Sequence, residues 1–136
     1  MAWVVDTCVL LDVRMHDPNF GRASVACLKA HSPDGLIVSP ISYVEMAPAF
    51  RGDEALQSYW STSLNIGFVE PWTDADTREA HRLWNDFTER RRQGLGDKSQ
   101  IADELIAAIV HRYQGLITRN TSEFRSICPE LTLVEP

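Results

Sequence analysis

Five oxygen-bearing side chains stand where a strand gives way to a helix, or at the rim of a helix's apolar face. Asp6 closes the apolar run Ala2–Val5 (AWVV), and Glu45 ends the stretch VSPISYVE. Asp103 lies in QIADELIAAIV, Asn120 follows the run Gly115–Thr118 (GLIT) by two positions, and Glu123 is one helical turn further. In open α/β sheets, ligands bind outside the carboxyl ends of the strands, so acids there suit a metal ligand or a nucleophile. Carboxylates converging from separate segments repel unless divalent cations hold them, and hard oxygen donors select Mg²⁺ or Mn²⁺ over zinc. Such a centre holds one metal, or two ~3.5–4 Å apart, activates water and steadies the leaving oxygen of a phosphodiester.

Each residue also has a purely structural role open to it. Asp6 is placed to cap a helix whose first turn is Cys8–Asp12. Ser42-x-x-Glu45 and Asn120-x-x-Glu123 both have the form of a capping box, in which the glutamate reaches back to the backbone. At ~100° per residue, Asp103 falls at the border of an apolar face made by Ile101, Ala102, Leu105, Ile106, Ile109 and Tyr113, and Glu104 points to solvent. An aspartate at such a rim needs a cation or a donor, and an arginine ion pair would serve as well as a metal.

The elements that must position these residues are legible as an alternation. Ala2–Val5, Leu36–Ser39, Ile66–Glu70, Gly115–Thr118 and Leu131–Val134 read as strands, nearly continuous in apolar residues as strands buried on both faces are. Helices are expected over 20–31, 42–64 with a break near Arg51–Asp53, 74–92 and 98–113, and a short one after Asn120. Thr73 precedes an acid-rich first turn with Asp74 and Asp76, and Asp97-x-x-Gln100 marks the start of the 98–113 helix. The polar, glycine-bearing Arg90–Lys98 reads as a mobile loop. This pattern predicts a three-layer α/β fold with a mainly parallel sheet of about five strands, in a single domain over residues 1–136.

Composition narrows the class. With 136 residues, 44% hydrophobic and 24% charged, the chain is an ordinary globular one, which excludes disorder and low-complexity architecture. No apolar run approaches the ~20 residues that span a bilayer, so no membrane is expected. The start MAWVVDTCVL has no basic region of the signal-peptide kind, and a cytoplasmic location is expected. Cys8, Cys27 and Cys128 match no zinc spacing and read as free thiols. Net charge is −6, yet residues 78–125 hold nine basic residues, eight of them arginine, against seven acidic ones. That leaves room for a local phosphate-binding strip beside an acidic centre. The four histidines show no catalytic motif, and the paired aspartates and late lysine of a haloacid-dehalogenase-type phosphatase are missing. Trp60, Trp72, Trp84 and Phe87 are core residues or anchors for a partner.

Four stretches taken together, WVVDTCVLLD at 3–12, VSPISYVEM at 38–46, IADELIAAIV at 101–110 and LITRNTSEF at 116–124, resemble the PIN domain. More narrowly they resemble the VapC-type toxins of bacterial toxin–antitoxin pairs, including the FitB-like branch. The resemblance implies a metal-dependent endoribonuclease that cuts RNA when freed from its antitoxin, usually a homodimer, with a small antitoxin covering the active groove. Its first, second and third acids map to Asp6, Glu45 and Asp103. The fourth site maps to Asn120 with Glu123 three residues on, where many relatives carry aspartate. Asp6 and Asp103 are then expected as ligands of Mg²⁺ or Mn²⁺, and Glu45 as a ligand or as the base that orients water. Asn120 or Glu123 closes the set. Thr7 and Thr118 are expected at the substrate or fixing a carboxylate, and Arg119 and the Arg90–Arg92 run at its phosphates or as a solvated charged surface, with Arg119 equally suited to pair with a neighbouring carboxylate. The alternative is a PIN-like module that binds RNA or protein with little catalysis.

Overall fold

Apolar triplets build a sheet of four parallel strands. These are β1 (Trp3–Val5), β2 (Leu36–Val38), β3 (Gly115–Ile117) and β4 (Leu133–Val134), in the order β2-β1-β3-β4. The computed structural model describes residues 1–67, 71–94 and 100–136. The strand expected over 66–70 is met only at its beginning, where Gly67 forms a parallel bridge to Ile37 on the outer side of β2; residues 68–70 lie outside the described residues. The sheet among the described residues therefore has one strand fewer than the sequence pattern suggests.

Alternation along the strands divides the core in two. Trp3, Val5, Leu36, Val38 and Ile117 face one side, where they pack with Val9, Leu10, Leu28, Leu56 and Trp60. Val4 and Leu116 face the other and meet Ala80, Leu83, Ile106, Ile109, Phe124 and Ile127. The first layer comes from α1 (Thr7–Arg14), α2 (Gly21–His31), α3 (Pro40–Glu45) and α4 (Asp53–Ser58), the last running into a π-turn at Tyr59–Ser63. The second comes from α5 (Asp74–Arg92), α6 (Ile101–Ile109) and α7 (Thr121–Ile127). Helices thus cover both faces of the parallel sheet, the arrangement that continuous apolar strands require.

Local signals explain most boundaries and correct several expectations. α3 starts two residues earlier than Ser42: Ser39 caps it, accepting the Ser42 N–H, and Pro40 takes the first helical position. Ser42 is thus inside the helix, and Glu45 is its last residue, not a capping-box partner. Asn120 stands at the N-cap of α7, but its side chain makes no capping bond. Thr73 and Asp76 do form a reciprocal capping box at the start of α5. That helix buries Asp76, Ala80, Leu83 and Phe87, a stripe at helical spacing. It also extends through Arg90–Arg92, so those arginines are helical, while residues 95–99, including Asp97 and Lys98, lie outside the described residues. α6 is rotated relative to the expected face: Ile101 is 63% exposed and Glu104 only 1%, because α6 packs against α3, α5 and α7 rather than on one neighbour.

Cys8 and Cys27 are half-buried, Cys128 is buried, and all three are free thiols. Trp60 and Phe87 are core residues, while Trp84 remains 38% exposed. Among the described residues no helix is long and apolar enough to cross a membrane.

Gly115 opens β3 where the sheet is tightest. A Cβ there would sit 2.5 Å from the Thr132 carbonyl oxygen and 2.7 Å from Trp3 Cζ3. Backbone on one side and a buried ring on the other cannot both retreat. Gly115→Ala is expected to destabilise the protein by about 2–3 kcal/mol in chemical denaturation. A loss under about 0.5 kcal/mol would show that β4 can shift freely.

Candidate functional site

The carboxyl ends of β1 and β3 open into a cleft of about 430 Å³ lined, among others, by Asp6, Thr7, Cys8, Glu45, Asp103, Asn120 and Glu123. Gln100, Ser122 and Ser126 add polar atoms, and no basic side chain is among the described lining residues.

Asp6 serves as both cap and site acid. It is the N-cap of α1, with Oδ1 accepting the Thr7 N–H at 2.8 Å. Oδ2 accepts the Thr118 hydroxyl at 2.7 Å and the Cys8 thiol at 3.2 Å. The residue is 3% exposed. Burial pushes its pKa up, the bonds from Thr118, Cys8 and Thr7 pull it back, and the negative charge of Glu45 adds to the rise. The Cys8 thiol is pushed up to about 12 by burial and by the Asp6 charge, so it stays a neutral donor.

Glu45 leaves the end of α3 and meets α1. Its Oε1 accepts from the Thr7 hydroxyl at 2.8 Å, and Thr7 Oγ1 is also 2.9 Å from Ser42 Oγ. Asp103 comes from the first turn of α6, where it is half-buried. Its pKa is raised to about 6, by burial first and then by the charges of Asp6, Glu123 and Glu45. Three carboxylates from three other elements thus act on Asp103 across the cleft. Asn120 and Glu123 approach from the start of α7.

Thr118 and Arg119 each take the carboxylate-binding role among those open to them. Thr118 is fully buried and its hydroxyl donates to Asp6, so it positions that acid. Arg119 turns away from the cleft into a bidentate pair with the buried Asp12, at 2.6 and 2.8 Å, under a cation–π contact with Phe20. A strong local carboxylate outcompetes a solvent-facing pose for that guanidinium. Arg90 is likewise spent, donating to the carbonyls of Ser126 and Ile127 and pinning α5 to α7. Sequence pattern alone assigned no role to Asp12, Ser39 or the Cys8 thiol, and gave Ser42 the cap position that Ser39 holds. The Ser-Pro pair at 39–40 carries a helix-start signature that would have found the first of the serines.

The four carboxylates share the cleft without already closing on one point: among the described residues no three Asp, Glu, His or Cys side chains are gathered at metal-binding distance. The carboxylate and amide donors are all oxygen, their charge has no basic side chain among the described lining residues, and the charges of Asp6, Glu123 and Glu45 add to the burial that raises the Asp103 pKa. These features fit a hard divalent cation.

The fold and the position of the cleft define the class: a three-layer α/β architecture with acids at the carboxyl edge of a parallel sheet. The sequence matches no family model. It matches no curated protein either. Among solved structures, a chain from the structure of FitAB bound to an IR36 DNA fragment superposes with a TM-score of 0.71 at 18% identity, covering 100% of this chain and 95% of its own. A chain of VapBC2 from Rickettsia felis, bound to a DNA fragment from their promoter, gives 0.68 at 21% identity over 100% and 99% of the two chains. A chain of VapBC-1 from nontypeable Haemophilus influenzae gives 0.69 at 19% identity over 99% and 98%. The likeness is one of fold, over nearly the full length of both partners.

Proposed function

We propose that this chain is a metal-dependent endoribonuclease, the toxin of a toxin–antitoxin pair, acting in the cytoplasm on RNA phosphodiester bonds. The observation that carries the reading is the gathering of Asp6, Glu45, Asp103 and Glu123 from four elements in one cleft, with no basic side chain among its described lining residues. A polyanionic RNA enters an acidic cleft only if a cation is there to receive it. The resemblance of four motifs to the VapC and FitB families supports the toxin assignment, and the two-component names of the structural neighbours support an antitoxin partner. A homodimer is part of the same reading.

Mg²⁺ or Mn²⁺ held by Asp6, Asp103 and Glu45, with Asn120 or Glu123 completing the set, would supply charge neutralisation at the phosphodiester and a lowered pKa for water. The protein's own part is orientation. Asp6 is held by three donors before any ligand arrives, so its oxygens are aimed in advance. Glu45 keeps Oε2 for the attacking water while Thr7 anchors Oε1, and it takes the proton that water gives up. Arg91, exposed at the end of α5, is left to meet a phosphate of the substrate strand.

A second reading, a PIN-like module that binds RNA or protein with little catalysis, is favoured by Asn120, whose neutral amide offers a weaker ligand than a carboxylate. Cleavage of total cellular RNA separates the two. Purified protein with Mg²⁺ or Mn²⁺ is expected to cut, EDTA to stop it, and Asp6→Ala to lower the rate by roughly 10³-fold or more. Metal-independent cutting, or cutting that survives in Asp6→Ala, overturns the nuclease assignment. Neither cutting nor metal binding favours the module, whereas metal binding without cutting points to a narrow RNA target or a retained antitoxin.

A further inference from the structure

Behind Glu45 lies a row of hydroxyls of which the chemistry above uses only Thr7. Ser39 Oγ is 3.3 Å from Ser42 Oγ, Ser42 Oγ is 2.9 Å from Thr7 Oγ1, and Thr7 Oγ1 is 2.8 Å from Glu45 Oε1. Ser39 and Ser42 are fully buried and Thr7 is 8% exposed, so water is kept from the bonds among the three hydroxyls, while the last bond, to the exposed Glu45, is part-buried. Each hydroxyl has one proton to give. An ionised carboxylate only accepts, so the Thr7 proton goes to Glu45. Thr7 Oγ1 must then accept from Ser42, and Ser42 Oγ from Ser39. Ser39 Oγ in turn accepts the Ser42 N–H at 3.1 Å, the capping bond of α3. Every donor has one acceptor, and every bond points the same way. Hydrogen bonds aligned in series polarise one another, so each strengthens the next.

We propose that Ser39, Ser42 and Thr7 form a one-way hydroxyl chain that fixes the Glu45 carboxylate in the cleft, which makes Ser42 and Thr7 positioning residues for metal binding and for the reaction. The consequence for metal rests on the reading of the cleft as a Mg²⁺ or Mn²⁺ site. The chain starts at the cap of α3 and ends at its last residue, closing on Glu45 through Thr7 of α1. It converts the placement of two helices into the orientation of one carboxylate. Glu45 needs that help because it is exposed at a helix end, whereas Asp6 is buried and triply bonded.

Two pairs of variants test this. Ser42→Ala removes the middle hydroxyl but leaves the capping bond, which uses the backbone N–H of residue 42. Thr7→Val removes the hydroxyl at constant shape, and Thr7→Ser keeps it. Two readouts are needed: Mn²⁺ affinity by calorimetry, and the NMR resonance of the Glu45 side-chain carboxyl carbon in metal-free protein at pH 7. Ser42→Ala and Thr7→Val are each expected to weaken Mn²⁺ binding by roughly 10-fold and to move the Glu45 resonance. The double variant should be little worse than either single one, since both break one chain. Thr7→Ser should bind within about 2-fold of wild type, and Ser42→Ala should change nothing in a Glu45→Gln background. Wild-type affinity and an unmoved Glu45 resonance in Ser42→Ala overturn the proposal, as does an equal loss of affinity with and without Glu45. If Ser42→Ala does not fold, the same two outcomes in Thr7→Val decide the matter. If wild-type protein binds no Mn²⁺, the reading of the cleft falls, and the carbon resonance alone decides whether the hydroxyl chain exists.

Discussion

Asp103→Asn protein is expected to be more stable than wild type without metal, and to gain far less from metal. Asp103 has a pKa of about 6 in the fold, raised by burial and by the charges of Asp6, Glu123 and Glu45. An unfolded chain holds the same carboxyl near ~3.9. The folded state therefore binds this proton more tightly, and ionising Asp103 costs stability as pH rises through the interval from ~4 to ~6. Above pH 6 the whole penalty is present. For a half-buried group partly screened by water it comes to ~1–2 kcal/mol. Asparagine removes it, so the variant should melt several degrees higher than wild type at pH 7–8, and the gap should close as pH falls below 4. Metal acts in the opposite sense. Cation at 100 times its Kd stabilises the wild type by about 2.7 kcal/mol, roughly 10 °C for a domain of this size. In Asp103→Asn that rise should fall to less than half. Thermal melts from pH 4 to 8, with and without Mn²⁺, read both effects. A variant less stable than wild type at pH 7, with an undiminished Mn²⁺ response, would show that Asp103 is neither crowded by charge nor a ligand.

The largest loss of stability is expected from Asp76→Ala, at about 3–5 kcal/mol. Asp76 is wholly buried and accepts from Arg112 Nε and Nη2, both at 3.0 Å, from His111 Nε2 at 3.0 Å and from the Thr73 N–H at 2.8 Å. One carboxylate caps α5 and ties it to the turn that follows α6. Removing it leaves the guanidinium of Arg112 without its buried counter-charge, although the carbonyl of Pro71 and the Tyr113 hydroxyl stay in reach. Burial alone would push the Asp76 pKa up; the bonds from Arg112, Thr73 and His111 outweigh it and hold the group at about 2. Its stabilisation is complete above ~4, the unfolded value, and is lost as pH falls from there towards 2. Urea denaturation at pH 7 and again near pH 3 checks both parts: the variant should be much weaker at pH 7, and the difference should narrow in acid. Arg112 precedes β3 and Asn120 follows it, so this network sits at the opposite end of the sheet from the cleft. RNA cleavage by the remaining folded fraction should be unchanged.

Much of this fold can be read from residue order, because buried parallel strands are continuous apolar runs and need helices between them. WVV, LIV and GLI are strands, and Asp6 and Asn120 fall at or beside the carboxyl edge for that reason. Local signatures mislead where two are available. Ser42-x-x-Glu45 has the form of a capping box, but Ser39-Pro40 supplies a cap and a preset first φ two residues earlier. Once the helix starts there, Glu45 is carried to its far end and out to the cleft. The rotation of α6 escapes a one-face projection because three helices surround it, which buries Glu104 and leaves Ile101 in solvent. Arg119 illustrates a different limit. Its partner Asp12 is distant in sequence, and no periodicity announces a pair formed only when β3 lies beside β1.

The strand order also governs how the protein is born. β1 is made first and lies inside the sheet, yet one of its two neighbours is β3, near the other end of the chain. At ~5–20 residues per second, a ribosome needs roughly 5–20 s to reach that strand after finishing β1. Until then Val4 has no Leu116 beside it, and Ile117, Phe124 and Ile127 are still missing from the core. The cleft assembles on the same schedule, because Asp6 and Glu45 wait for Asp103 and Glu123. The emerging polypeptide therefore carries its acids apart, and the cleft forms only after α6, β3 and α7 have been synthesised and the sheet has closed.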